Sequence, residues 1–312
     1  MRGERGFVLV NALLIVAALS AMAVFLLARA EGARARLQTG LDAEQIELDL
    51  DAFEALAQQV IARDAPLVDH FGEAWAETEY NVPLARGQVA GRLSDLQGRF
   101  NLNWLANPDN ALAQAAFDRL LDRLGVTASV GEALRAVLQP GGPEDRAPYL
   151  LRDPQEVPLG GAVMMLSQLR DLPGFPEAAF ARLRPYIAVL PAGSRLNVNT
   201  APPEVLAAFL PDLSRTALGA VLSRRETEPF RSTDAFLSAA GRTPADARPE
   251  GTPAPAGAED SLIEDAITVA SRYFGIESTA TLGTQSASRT ALLERRGAAE
   301  LPVIAWRITT WP

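Results

Sequence analysis

The chain has 312 residues, a formal net charge of −9, no cysteine and one histidine. An acidic balance argues against nucleic-acid binding, which needs a basic face, and the lack of cysteine removes disulfides and thiolate metal sites. A single imidazole, His70 in Leu67-Val68-Asp69-His70-Phe71, reads as a surface or packing residue rather than as part of a triad or metal site.

The chain is long enough for a membrane helix and about two folded units. Phe7 to Ala28 carries no charge, and only Asn11 and Ser20 are polar within it. As a helix it can cross a hydrocarbon core of roughly 30 Å, with its backbone hydrogen bonds satisfied internally. A cleaved secretory signal would have a shorter apolar run and a small-residue cleavage site. Arg2, Glu4 and Arg5 precede the run, and Arg29, Glu31, Arg34 and Arg36 follow it. Charge is therefore nearly balanced across the span and fixes no orientation.

Arg5-Gly6-Phe7-Val8-Leu9-Val10 resembles the processing site of type IV prepilins: a short basic leader, a glycine, then phenylalanine opening an apolar helix. The resemblance implies that prepilin peptidase cuts on the cytoplasmic side after Gly6 and that the new terminal residue, Phe7, is N-methylated. Most pilins and pseudopilins carry glutamate as the fifth mature residue, and this chain has Asn11 there. A carboxylate in hydrocarbon needs a positive partner. In the resembled filaments that partner is a neighbour's terminal amine, which asparagine cannot neutralise. Asn11 thus suits a subunit with no neighbour on one side.

From Arg29 to Asp64 the helical pattern continues, with Leu37, Leu41, Leu48, Phe53, Leu56 and Val60 between charges and no proline before Pro66. The spacing predicts one long helix whose distal half packs an apolar face on a soluble domain. Between Arg86 and Asn101 the period changes to alternation at Val89, Gly91 and Leu93, and the stretch reads as two short strands joined by a turn. The nonamer Asp95-Leu96-Gln97-Gly98-Arg99-Phe100-Asn101-Leu102-Asn103 resembles the strand-to-helix junction of the type II secretion minor pseudopilin K family.

Residues 108–240 read as mostly helical. Ala111–Leu124 ends at Gly125, and Val130–Leu138 is stopped by Pro140-Gly141-Gly142. A repeat then follows. Val163–Leu169 and Ala178–Arg184 flank Leu172-Pro173-Gly174-Phe175, while Val205–Leu210 and Thr216–Arg224 flank Pro211-Asp212-Leu213. Between them lies Arg195-Leu196-Asn197-Val198-Asn199-Thr200-Ala201, with Thr200 expected as N-cap and Pro202 at the first helical position. The doublet resembles helix-hairpin-helix modules of DNA-binding proteins as well as the helical domain of pseudopilin K. A membrane-anchored DNA-uptake protein is the alternative reading. It needs glycine turns and a basic face; these turns lack Gly-x-Gly, and Asp212 repels phosphate. A hydrolase would have carboxylates alone to work with, and the Asp/Glu pairs read as solvated helix ends.

Gly241–Ala258, rich in Pro, Ala, Gly and Thr, reads as a mobile surface loop. Glu259-Asp260 and Glu264-Asp265 are helix-end charges or cation ligands, without EF-hand spacing. Arg272 to Trp306 returns to alternation, with turn signals at Gly283 and Gly297, and predicts a three-strand antiparallel meander.

The resemblance to pseudopilin K covers nearly the whole chain and is most specific at 95–103 and 195–206. It implies an α+β fold: a pilin-like long N-terminal helix on a small antiparallel sheet, with a large helical (helix-hairpin-helix or SAM-like) insertion between strands. The expected parts are a leader at 1–6, a transmembrane half-helix at 7–28, pilin-like segments at 29–102 and 271–312, and the insertion at 103–270 with its loop at 241–258. The implied role is non-enzymatic. It is that of an inner-membrane minor pseudopilin with a periplasmic head, at the pseudopilus tip, with minor pseudopilins I and J and other pseudopilins as partners and no nucleic acid. Calcium sites occur among pseudopilins, so the resemblance leaves room for calcium while assigning no ligand here; no other cofactor is implied.

Overall fold

The structure is a computed structural model that describes residues 4–77, 79–151, 155, 158–170, 172–242, 258–297 and 300–312. The expected loop at 241–258 lies almost wholly outside the described residues. A single helix, α1 (Glu4–Arg63), runs without a break through 60 residues, about 90 Å at 1.5 Å per residue. From residue 9 to 41 it is exposed apart from half-buried Gly32. From Ile46 onward it buries Ile46, Leu50, Phe53, Ala57 and Ile61, a spacing of three and four that keeps one stripe inward.

That stripe lies on a five-stranded sheet built from β1 (Tyr80–Leu84), β2 (Gly87–Asp95) and, after a long excursion, three further strands. The excursion begins with β3 (Phe100–Asn101), α2 (Ala111–Leu124), α3 (Ala128–Leu138), α4 (Ala147–Leu150), α5 (Ser167–Arg170) and α6 (Glu177–Leu183). It continues through β4 (Ile187–Ala188), β5 (Leu196–Asn197), α7 (Pro203–Phe209), α8 (Arg215–Thr227), α9 (Thr233–Ala239), α10 (Ala258–Ala266) and β6 (Ile267–Thr268). The chain then returns as β7 (Tyr273–Leu282), β8 (Gln285–Glu294) and β9 (Val303–Thr310), giving the order β1-β2-β7-β8-β9 with every neighbouring pair antiparallel.

Two large cores result. Val89, Leu93, Phe274, Ile276, Ala280 and Leu293 receive the α1 stripe, and Trp75 closes the end of that layer with its ring 5.3 Å from Phe274. Gly91 is needed there, since a Cβ would lie 2.6 Å from the Phe53 ring and from the Glu277 carbonyl oxygen. The helical body has its own core, in which Phe100 stacks on Phe117 at 5.1 Å and meets Trp104 edge-on at 5.3 Å. Phe100 and Leu102 already belong to that core. On the sheet face away from α1, Ala188 and Leu190 of the body pack on Tyr273 and Leu292.

Charge also fastens α1 to the sheet. Arg289 of β8, 3% exposed, reaches Glu47, Asp51 and Glu54 of α1. Arg307 of β9 reaches Asp51 at 3.0 Å and Glu54 at 2.7 Å.

Several sequence expectations need correction. Leu37, Leu41, Leu48 and Leu56 are exposed, and of the expected stripe only Phe53 and half-buried Val60 face the sheet. Apolar residues lie on both sides of α1, and periodicity cannot say which side the sheet takes. The second strand expected near 99–101 is β3, which pairs in parallel with β4 inside the helical body. The sheet's other early strand is β1, upstream at Tyr80. The helix expected at Val163–Leu169 shrinks to α5, because Val163 is held in place by hydrogen bonds to Asn103. Thr200 does not cap α7; Pro202 occupies the N-cap position and Thr200 turns inward to Asp95.

Candidate functional site

The two sequence stretches that stand out, 95–103 and 195–201, perform the same local task twice. Each has a two-residue parallel strand, β3 against β4 and β5 against β6. Each then turns through an asparagine. Asn101 Oδ1 accepts the Asn103 N–H at 3.1 Å, and Asn197 Oδ1 accepts the Asn199 N–H at 3.0 Å. Asparagine favours such turns because its short amide imitates a backbone group. The second asparagine of each pair clamps a distant residue by both backbone groups. Asn103 holds Val163 N–H and C=O, each at 2.9 Å, and Asn199 holds Phe230 N–H at 2.9 Å and C=O at 3.0 Å. All four asparagines are at most 3% exposed. Buried amides of this kind are stable only when fully paired, so each clamp specifies one arrangement of its half of the body.

The repeats differ in what the first asparagine does with its amide nitrogen. Asn101 stays within the body, donating to the Pro191 carbonyl oxygen and Ser194 Oγ. Asn197 reaches out of it. Its Nδ2 donates to the Asp69 carbonyl oxygen at 3.1 Å, to Asp95 Oδ2 at 3.0 Å and to Ser271 Oγ at 2.9 Å. Asp95 also accepts from Thr200 Oγ1 at 2.5 Å, Ser271 Oγ at 2.7 Å and the Gln97 N–H at 2.8 Å. Gly98 permits this approach; a Cβ there would sit 2.7 Å from Thr200 Oγ1. Arg295 completes the joint by pairing with Asp69 at 2.9 Å and Asp64 at 2.7 Å.

The joint therefore ties the end of α1, the end of β2, the 195–200 segment, the start of β7 and the end of β8 in one buried network. Burial pushes the Asp69 carboxyl up to about 7, against the pull of Arg295 and the Ser271 N–H, with Asp95 adding repulsion. Burial also raises Asp95, partly offset by its four donors.

Asp64, Asp69 and Glu73 bring carboxylate oxygens within 4.8 Å of one another. The Arg295 guanidinium already pairs with two of them, and Glu73 accepts from the Trp75 indole N–H and the His70 N–H. The cluster is thus an ion-pair centre. His70 is half-buried and accepts the Gly72 N–H through Nδ1. Asp212 in the second turn is exposed and pairs with Arg242.

The residues expected at the amino terminus lie far from the joint. Gly6 and Phe7 fall in the first turns of α1, and Asn11 is exposed on it within an apolar span long enough to cross a membrane, no part of which is buried.

The protein-family description "Type II secretion system (T2SS), protein K" matches residues 98–192 and again 196–251, each match opening at one of the two asparagine motifs. Type II secretion system protein K of Pseudomonas aeruginosa is 31% identical over 256 residues, 75% of this chain and 76% of that protein. The chain belongs to the type II secretion system protein K family. The Klebsiella pneumoniae relative is 28% identical over 258 residues, 75% of this chain and 79% of that protein. Among solved structures, the crystal structure of the GspK–GspI–GspJ complex from the enterotoxigenic Escherichia coli type 2 secretion system matches with a TM-score of 0.71 at 24% identity, covering 88% of this chain and 99% of that one. The family role is structural: the chain is a minor pseudopilin of the type II secretion system, in protein transport. Its one long apolar amino-terminal helix fits a single-pass inner-membrane anchor.

Sequence reasoning did not find Asp69, Ser271 or Arg295. Their partners in the joint lie 24 to 231 residues away in the chain, and nothing in a local window marks them.

Proposed function

We propose that this chain is the leading subunit of the pseudopilus, helping to start the filament whose growth exports folded proteins across the outer membrane. In this reading prepilin peptidase removes residues 1–6 after Gly6, and Phe7 becomes the N-methylated first residue. The apolar span anchors the chain in the inner membrane, with everything beyond it periplasmic. Minor pseudopilins I and J join it at the tip, as GspI and GspJ accompany GspK in the solved complex. The chain acts as an assembly subunit and not as an enzyme.

The observation that carries the reading is the division of α1. Its first half is bare and available to neighbouring helices, while its second half is locked to the sheet by Phe53 and Arg289. Two features favour the leading position. Asn11 lacks the charge that would pair with an amine ahead of it, although the Phe7 amine can still meet a glutamate behind. The body between β2 and β7 also adds bulk that a tightly wound shaft would not accommodate. Asn11→Glu tests the first feature in secreting cells. The variant is expected to change secretion or enter interior positions. Unchanged secretion, with the subunit cross-linking only at the tip, would remove Asn11 from the explanation and leave head size alone.

A further inference from the structure

Beside the joint lies an open groove of about 600 Å³, bounded by Pro66, the 191–195 segment, the 268–273 segment and the 295–297 segment. Its size falls in the range of roughly 300–1,000 Å³ that holds drug-sized ligands. Its charge is unlike that of the chain, which is formally −9 overall. Arg195, Arg272, Arg295 and Arg296 all line it, and among the described lining residues none is aspartate or glutamate.

The four arginines are not equally free. Arg295 is buried and committed to Asp64 and Asp69. Arg272 and Arg296 are exposed and share one glutamate, Glu294, at 3.4 and 3.6 Å. Arg195 is exposed and has no ion-pair partner among the described residues. Three exposed guanidinium groups thus face one carboxylate.

The two sides are held at a fixed separation. Gln97 donates through Nε2 to the Arg195 carbonyl oxygen at 2.8 Å and accepts the Arg272 N–H on Oε1 at 2.6 Å. Arg272 also lies 6.0 Å over the Tyr273 ring. Gly193 and Gly297 line the groove, and a Cβ on either meets nothing within 4 Å, so there is open space at both positions.

We propose that this groove is a docking site for an acidic, extended segment of a partner protein, whose carboxylates pair with Arg195, Arg272 and Arg296. Arginine forks bind carboxylates in two-pronged fashion, and arginine clusters are a recurrent means of reading acidic motifs. A lipid headgroup fits poorly. Pro66 lies beyond the end of α1, so the groove stands about 50 Å along the helix from the end of the apolar span at Ala28. A groove of about 600 Å³ also exceeds what one small anion needs.

The test uses the full chain in detergent micelles and a fluorescein-labelled peptide of alternating Glu and Ser, with a Gln-Ser peptide as its neutral counterpart. The acidic peptide is expected to bind at least tenfold more tightly than the neutral one and to weaken as salt rises. Arg195→Glu with Arg296→Glu should lower affinity at least tenfold. Gly193→Trp, which fills the groove without changing charge, should do the same, and Gln97→Ala should lower it less. Equal binding of both peptides, or acidic binding untouched by both the charge-reversal and Gly193→Trp variants, would overturn the proposal. So would displacement of the peptide by inorganic phosphate at equal concentration, which would make the groove a small-anion site.

Discussion

Removing the amide of Asn197 should loosen the attachment of the helical body to the sheet. In Asn197→Ala the Asn199 N–H and the Asp69 carbonyl oxygen lose their side-chain partner, and Asp95 loses one of its donors, all in a region at most 6% exposed. An orphaned buried group costs about 1–3 kcal/mol, and a hydrogen bond to a charged group about 1.5–3 kcal/mol. These terms overlap, so the expected loss is about 3–6 kcal/mol, a large part of the ~5–15 kcal/mol typical of a folded domain. Asn197→Asp should be worse, because it sets a third carboxylate beside Asp69 and Asp95. Asn107→Ala is the control: among the described residues its Oδ1 accepts only the Asp109 N–H, at an exposed turn, and it should cost less than about 1 kcal/mol. Urea unfolding of the full chain in micelles, followed by tryptophan fluorescence, reads both cores, because Trp75 lies in the sheet layer and Trp104 in the helical body. A loss for Asn197→Ala no larger than the control's would refute the joint as a stabilising element.

Three further outcomes follow from named groups. Gly6→Leu should block leader removal, and intact mass of the membrane form should then show the six leader residues retained. Folding raises Asp69 from 3.8 to about 7, so the folded chain holds a proton that the unfolded chain releases between those values; stability should fall as pH rises from about 4 through 7, with Asp95 and Glu73 shifting the same way. Asp69→Asn should flatten that pH dependence of the thermal midpoint. Arg289→Ala leaves Glu54, 3% exposed, with Arg307 alone, and should destabilise by about 3–5 kcal/mol in denaturant melts; Arg289→Met should also be costly, because it strands the same carboxylate.

Much of this architecture is legible in the sequence, for local reasons. The end of α2 at Gly125 follows from a glycine at φ 62° closing an amphipathic run. β7 and β8 show because much of each strand alternates buried with less buried positions, leaving a period of two. β1 is hidden because it is short, carries Pro83 and sits at the sheet edge, where proline is tolerated and burial is partial. The asparagine motifs are visible as motifs, and their repetition can be read from Phe100-Asn101-Leu102-Asn103 beside Leu196-Asn197-Val198-Asn199. What they clamp cannot be read this way, since Val163 and Phe230 present backbone groups that carry no residue signature. Thr200 looks like an N-cap because the residues after it are Ala201-Pro202-Pro203; the pull of buried Asp95 overrides that local preference.

The central claim, that this minor pseudopilin leads the filament, is tested most directly by single-cysteine cross-linking in secreting cells. The chain has no native cysteine, so Leu41→Cys, on the exposed part of α1, introduces one thiol without a competing one. With matching cysteines in its neighbours, the account expects one copy of this chain joined to minor pseudopilin I or J, and no product holding two copies of it. A ladder of repeated copies of this chain would place it along the shaft and contradict the account.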